Sequence, residues 1–279
     1  MTAANEPGQV RAGMPDGLAR AHRIVSDAAA CALEAFNDRG NLRMRAKGPQ
    51  DFVSAADEKV EQLIRSRLAL EFFGDAVIGE EGGGRPSANA TWFIDPIDGT
   101  SNFLRGLPLW GVSLGLVRAG KPSIGVIAFP ALDLIVGAEA GFGLFVNGRA
   151  AQPQRPFANV HLASVGDADL DLEEALATTR RLREAGWVVE SYRCTTLGLA
   201  FSALGRLDGH LQHRVQAWDI AAGLVLCAEA GLEVHHGPLD QRPTWVRAGL
   251  PEIHRITQAG WVDAGVGIGG DSLALQPWC

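Results

Sequence analysis

Twelve residues, Trp92-Phe93-Ile94-Asp95-Pro96-Ile97-Asp98-Gly99-Thr100-Ser101-Asn102-Phe103, constrain this chain more than any other stretch. An apolar run rich in β-formers leads into Asp95, and the proline that follows holds Asp95 extended, because a residue before proline avoids the α region. The backbone then turns at Gly99, after which Thr100 or Ser101 can open a helix. A strand, a bend and a helix start are therefore packed together, and they aim two carboxylates at one place with the Ile97 carbonyl between them. Oxygen-only groups of this kind suit Mg²⁺ or Mn²⁺ and not zinc. Amides at a helix start suit a phosphate. Taken alone, the same residues read equally well as an Asp-Gly turn with two solvated carboxylates.

The rest of the chain supplies a layered frame. Residues 1 to about 15 read as a loose arm. A helix follows, with Asp16 placed to cap it and Leu18, Ala21, Val25, Ala28 and Ala32 at helical spacing. Lys47 to Val53 is too short and punctuated for a helix and reads as a loop or hairpin. Ser54 then opens a second helix with Asp57 as its capping-box partner, and Val60, Leu63, Ile64, Leu68 and Phe72 share one face. From Ala76 onward, short β-type runs occupy 76–78, 91–94, 110–117, 123–129, 133–138 and about 143–146, the last ending in an Asn147-Gly148 hairpin turn. Beyond a Pro- and Gln-rich connector at 150–158, strands are expected near 160–165, 187–191 and 208–213. Helices are expected near 170–185, 195–204 and from Asp219 to about Ala230. Helices and strands in separate blocks predict an α+β layered sandwich. We expect one domain over 16–279, with subdomains at about 16–155 and 156–279.

At 279 residues the chain can bury a large core. Its net charge of −7, from 25 basic and 32 acidic residues, argues against a general nucleic-acid binder. An anionic substrate stays open, because bound cations invert the potential of an acidic site. Cys31, Cys194, Cys227 and Cys279 form no C-x-x-C pair, so zinc fingers and thiol redox motifs are not expected. No apolar leader is visible in the first fifteen residues, and Ile124 to Val146 is interrupted by Pro130, Asp133 and Glu139. A cytoplasmic protein without membrane attachment is expected.

Two further acidic segments matter. Gly79-Glu80-Glu81-Gly82-Gly83-Gly84 sets carboxylates at a strand end beside a glycine run whose mobility can let one Glu reach Asp95. Read alone, it is a charged surface turn. Trp218-Asp219-Ile220-Ala221-Ala222-Gly223 opens an apolar helix, where an Asp is ordinarily an N-cap.

Together these segments resemble the inositol monophosphatase family, within the wider group of lithium-sensitive, metal-dependent sugar phosphatases. The family's W-x-I-D-P-[ILV]-D-G-T-x-N-F is met by Trp92 to Phe103, its W-D-x-A-A-G by Trp218 to Gly223, and its G-E-E by Gly79, Glu80 and Glu81. An upstream K-x-x-x-D-x-V-[ST]-x-x-D is met by Lys47, Asp51, Val53, Ser54 and Asp57. The resemblance implies an α-β-α-β-α sandwich and Mg²⁺ as cofactor, two or three ions, with Mn²⁺ as a substitute. Glu80, Asp95 and the Ile97 carbonyl then hold a first ion, and Asp95, Asp98 and Asp219 a second. Glu80 and Thr100 orient and deprotonate the attacking water, with Asp57 hydrogen-bonded to the Thr100 hydroxyl. Amides of Gly99, Thr100 and Ser101 cradle the phosphate, and Asp98 and Asp219 also meet the substrate.

The substrate-reading positions depart from the family. Members acting on inositol phosphates often carry Gly-Ser-Ala-Ala where this chain has Arg193-Cys194-Thr195-Thr196, and an acidic residue where it has Gln212. Arg193, Thr195 and Gln212 are therefore the positions expected to read the substrate, and Arg193 favours a second anionic group. The expected substrate is the phosphate monoester of a small polyol or sugar. Histidinol phosphate, fructose-1,6-bisphosphate and 3′-phosphoadenosine 5′-phosphate are the alternatives, as is a non-catalytic regulatory protein on the same fold. A homodimer is implied. His235-His236 has no Glu or Cys at metal spacing and is not expected to ligate; Gly265 to Gly270 reads as a C-terminal tail, not a dinucleotide loop. Trp92, Trp110 and Trp218 are expected as core anchors, and Cys194 lacks a base that would make it a nucleophile.

Overall fold

The computed structural model describes residues 13–38, 40, 44–48, 51–157, 159–166 and 172–262. The expected N-terminal arm up to residue 12 and the tail at Gly265 to Gly270 lie outside them. The chain opens with α1 (Asp16–Asn37), the hairpin β1 (Met44–Gly48) and β2 (Asp51–Ser54), and α2 (Ala55–Glu71). Asp16 does not cap α1. It is the first helical residue, following Pro15, and it pairs with Arg20 one turn on at 3.1 Å. Ser54 does cap α2, its hydroxyl accepting from the Ala56 amide while Asp57 accepts from the Ser54 amide.

A seven-stranded sheet comes next, formed by β3 (Ala76–Gly79), β4 (Ala90–Asp98), β5 (Gly111–Arg118), β6 (Lys121–Phe129), β7 (Leu134–Glu139), β8 (Gly143–Val146) and β9 (Arg149–Ala151), in chain order across the sheet. Only β3 and β4 run parallel. A short α3 (Thr100–Arg105) intervenes after β4. The turn between β8 and β9 has positive φ at both Asn147 and Gly148, as an Asn-Gly hairpin requires.

Strand periodicity assigns this sheet two faces. Trp92, Ile94, Leu114, Leu116, Ile124 and Val126 point to the core under α1 and α2. The alternate residues Phe93, Gly115, Gly125, Ile127 and Phe129 point the other way, towards α5 (Thr195–Ala203) and α6 (Ala217–Glu229). A second sheet of five strands, β11-β10-β12-β14-β13, covers the far side of α5 and α6 with Val215, Val234, Val246 and Ala248. Its members are β10 (Leu162–Gly166), β11 (Val188–Glu190), β12 (Gly209–Val215), β13 (Glu233–His236) and β14 (Thr244–Gly249). Its outer face, with Ala163, Val165 and Leu211, is closed by α4 (Leu172–Glu184) and α7 (Pro251–Val262). The order is helix pair, sheet, helix pair, sheet, helix pair: the α-β-α-β-α sandwich expected from the resemblance.

The central helix is seated unusually deep. Gly115 and Gly125 stand opposite each other across β5 and β6. A Cβ on Gly115 would lie 2.5 Å from the Ala222 nitrogen, and one on Gly125 would lie 2.2 Å from the Ala222 oxygen. The two glycines form a trough for the backbone of α6, and the small residues Ala221 and Ala222 fit it. On the other side, a Cβ on Gly223 would meet Leu199 of α5 at 2.4 Å. The Ala-Ala-Gly of the Trp218 motif is thus a packing requirement, and the Asp219 that precedes it is carried wherever α6 is seated.

Candidate active site

The bend after β4 follows from its sequence. The β4–β5 ladder slips between Asp95↔Ser113 and Asp98↔Gly111, so Pro96, which has no N–H to donate, falls where pairing is interrupted. The Ile97 amide donates to Asp95 Oδ1 at 3.1 Å. Gly99 has φ of 84° and a Cβ there would lie 2.9 Å from the Leu109 oxygen, so glycine is needed both for the turn and for the close approach. Asn102 donates to the Leu109 carbonyl at 2.7 Å and to the Tyr192 carbonyl at 2.8 Å, tying the bend to the loop that precedes α5. The Thr100 hydroxyl donates to the Ile97 carbonyl at 3.0 Å, not to Asp57 as expected, because that carbonyl lies within its own turn.

Carboxylates from four elements converge here. Asp95 is 1% exposed, and its carboxyl is pushed well above the ordinary carboxylate range, first by burial and then by the charges of Glu80, Asp98, Asp219 and Asp57. Asp219 is raised likewise by burial and by Asp98 and Glu80. It is the third residue of α6, not the N-cap: Gln216 precedes the helix and donates its amide to Asp219 Oδ2 at 2.9 Å. Asp98 is raised by burial but opposed by donors, the Thr196 amide and hydroxyl at 2.6 Å each and the Cys194 thiol at 3.3 Å, all on Oδ2. Asp57 is pushed to about 6 by burial, against the Ser54 hydrogen bonds, and its Oδ1 is buried without a partner among the described residues. Cys194, with its thiol pushed well above its ordinary range by burial and Asp98, is a donor and not a nucleophile.

Such a cluster cannot hold all its charge without cations, and its oxygen-only donors match hard divalent ions. The donor set therefore fits Mg²⁺. One consequence is testable in the ion-free protein. A carboxyl whose folded pKa is raised stabilises the fold below its unfolded pKa, and that stability is lost as pH rises through the folded value. For Asp57 the window is 3.8 to about 6, and for Asp95 and Asp219 it extends higher. His210, His213 and His254, held at about 4 by burial, shift stability the other way, so the carboxyl effect is read as a difference. With chelator present, the melting advantage of Asp95→Asn over wild type should be several degrees larger at pH 8 than at pH 5. Mg²⁺ should remove most of that advantage at pH 8. An Asp95→Asn advantage no larger at pH 8 than at pH 5 would refute this.

The glycines after Glu80 do not form a mobile arm. Gly79 and Gly83 exchange two backbone hydrogen bonds of 2.9 and 3.0 Å, and a Cβ on Gly84 would lie 2.1 Å from the Val77 oxygen. They are glycines because the loop folds back tightly on β3. The sequence reading also missed Glu61, buried on α2 beneath this loop; its spacing of four from Asp57, on the same helical face, was the available signal.

The substrate-side positions are joined to the bend. Thr195 donates its hydroxyl to Gln212 Oε1 at 2.8 Å, and Gln212 Nε2 donates to the Arg214 carbonyl at 3.2 Å, which fixes the amide's orientation. His210 stands 3.3 Å from the same Gln212 oxygen and 2.8 Å from Ser164, and burial lowers its pKa to about 4. Arg193 is exposed, with φ of 53°, at the loop that touches Gly99. Away from this site, and against expectation, Glu233 and His254 do gather with His235, their ligand atoms within 4.8 Å of one another. Arg247 donates to His254 at 3.1 Å, and that guanidinium opposes a metal cation there. Trp92, Trp110 and Trp218 are all buried.

Comparison with known proteins identifies the family and the fold. The profile of the inositol monophosphatase family matches residues 16–251. The inositol-1-monophosphatase of Mesorhizobium japonicum is 36% identical over 209 residues, covering 70% of this chain and 76% of that protein. The fructose-1,6-bisphosphatase/inositol-1-monophosphatase of Aquifex aeolicus is 34% identical over 204 residues, covering 71% of this chain and 77% of that protein. Among solved structures, the extragenic suppressor protein suhB of Bartonella henselae superposes with a TM-score of 0.78 at 28% identity, over 88% of this chain and 98% of that one.

Proposed function

The chain belongs to the inositol monophosphatase family, and we propose that it is a Mg²⁺-dependent phosphomonoesterase of a small phosphorylated sugar or polyol. The observation that carries this is the gathering of the half-buried Glu80, Asp98 and Asp219 around the buried Asp95, close enough that their charges all act on it. Glu80, Asp95 and the Ile97 carbonyl would hold one ion; Asp95, Asp98 and Asp219 would hold another. When bound, the ions supply positive charge for the phosphoryl oxygens and acidify water towards neutral pH. The protein's own groups do the rest. Amides of Gly99, Thr100 and Ser101 orient the phosphate through the turn that Gly99 permits. Glu80 accepts the proton of the attacking water, with the Thr100 hydroxyl directing it. Asp57 lies near enough for its charge to act on Asp95, and one of its oxygens has no partner among the described residues. The homodimer and the cytoplasmic setting expected from the sequence belong to the same proposal.

The pocket beyond the phosphate differs from one built around a free carboxylate. Gln212 already spends its oxygen on Thr195 and His210, leaving an N–H for the substrate. With Arg193 at the loop, this favours a substrate carrying a second anionic or acceptor group. The test is phosphate release from a panel of polyol phosphates, sugar phosphates and bisphosphates in Mg²⁺, against an Asp95→Asn control. Release above the control, strongest from bisphosphates, is expected. Release no greater than the control's would sink the phosphatase reading, and a clear preference for monoanionic polyol phosphates would sink the specificity reading.

A further inference from the structure

We propose that Glu61, paired with Arg65, is a positioning residue for Glu80, setting the loop from which Glu80 meets the first ion; this rests on the metal reading above. Glu61 lies one helical turn beyond Asp57 on α2, is 2% exposed, and has no part in the chemistry described so far. Its Oε2 accepts from the Glu81 amide at 2.8 Å, and its Oε1 accepts from the Gly82 amide at 2.9 Å and from Arg65 Nε at 2.7 Å. Arg65 Nη2 then reaches over the loop to donate to the Gly83 carbonyl at 2.6 Å. The two side chains make four hydrogen bonds, three of which end on the backbone of residues 81–83, just past Glu80.

The loop is shaped to take them. A Cβ on Gly79 would lie 2.3 Å from Glu61 Oε1 and one on Gly82 would lie 2.6 Å from it, so both glycines are needed for the backbone to wrap the carboxylate. From the opposite side, the Glu80 amide donates to the Ile94 carbonyl at 3.1 Å, the residue before Asp95. Glu80 is thus held between β4, which carries Asp95, and a buried carboxylate on α2. Burying a carboxylate in this way is costly unless it is paired, and here the pairing goes to a guanidinium and two amides. Side chains that meet a metal or a reacting water must be held within about 0.5 Å, which requires support of this kind.

The experiment measures Mn²⁺ binding without substrate, by calorimetry and electron paramagnetic resonance, beside the Mg²⁺ dependence of phosphate release. Glu61→Gln keeps the shape but turns an NH₂ towards groups that are themselves donors. We expect its first-ion affinity to fall about tenfold or more, with turnover largely recovered at high Mg²⁺ and KM for the phosphorylated substrate little changed. Arg65→Gln, a milder change should Glu61→Gln fold poorly, should move the same constant in the same direction. Arg67→Gln, also on α2, removes only an exposed pair with Asp27 of α1 and should leave it unmoved. Melting loss in the Glu61 and Arg65 variants without any change in Mn²⁺ affinity would overturn the proposal, reducing the pair to a structural role. A wild-type protein that binds no more Mn²⁺ than Asp95→Asn would instead overturn the metal reading beneath it.

Discussion

Asp95→Asn is expected to lower phosphate release by about a thousandfold or more while raising the melting temperature of the chelated protein. The first effect follows from position. Asp95 is the carboxylate on which the charges of Glu80, Asp98, Asp219 and Asp57 all act, and the one both proposed ions share. Losing either ion removes several kcal/mol of charge stabilisation, and each 1.36 kcal/mol is about tenfold in rate. The second effect has the opposite sign because the same charges repel one another when no cation is present. A neutral, near-isosteric amide at the most buried member relieves that strain, provided it still accepts from the Ile97 amide. Kinetics with saturating Mg²⁺ and melting curves with chelator check the two together. A variant that keeps more than a tenth of wild-type turnover, or that melts lower than wild type under chelation, would contradict this account.

Gly125→Ala is expected to cost about 3 kcal/mol, or roughly 6–12 °C of melting temperature for a chain of this size. The added methyl would sit 2.2 Å from the Ala222 oxygen, and a helix backbone cannot give way as the end of a flexible side chain can. Relief requires α6 to lift, which also moves Asp219. Activity should therefore fall even at temperatures where the variant is folded, with a raised Mg²⁺ requirement as the sign. Gly120→Ala is the comparison: it lies in a surface turn with open space around it, so only its positive φ of 76° is strained. If Gly125→Ala melts no lower than Gly120→Ala, α6 is not seated as described.

What was readable beforehand depended on range. The bend at Asp95-Pro96-Ile97-Asp98-Gly99 was legible from proline's hold on the residue before it and from glycine's positive φ. No hydroxyl caps the helix that follows: Gly99 is its N-cap, and the Thr100 hydroxyl turns back to the Ile97 carbonyl. The strands from 76 to 146 were legible as short β-type runs between turn residues, and the Asn147-Gly148 turn by its chemistry. The contacts of Thr196 and Cys194 with Asp98 were not, since they span nearly a hundred positions and no local pattern marks them. Glu61 was legible only in part: its spacing of four from Asp57 sets it on the same helical face, but the folded Glu80 loop alone shows what it holds there. The glycines at 82–84 were misread for a related reason, because close backbone return and free movement call for the same residue.

The trough between β5 and β6 has a further consequence during synthesis. Glu80, Asp95 and Asp98 leave the ribosome well before α6, so a nascent chain carries an acidic sheet end whose last carboxylate has not yet been made. Gly115 and Gly125 stay open until α6 arrives, and nothing shorter than that helix brings Asp219 into place. A cation held as proposed, by Asp219 together with Asp95 and Asp98, would therefore favour the finished molecule over a chain truncated before α6.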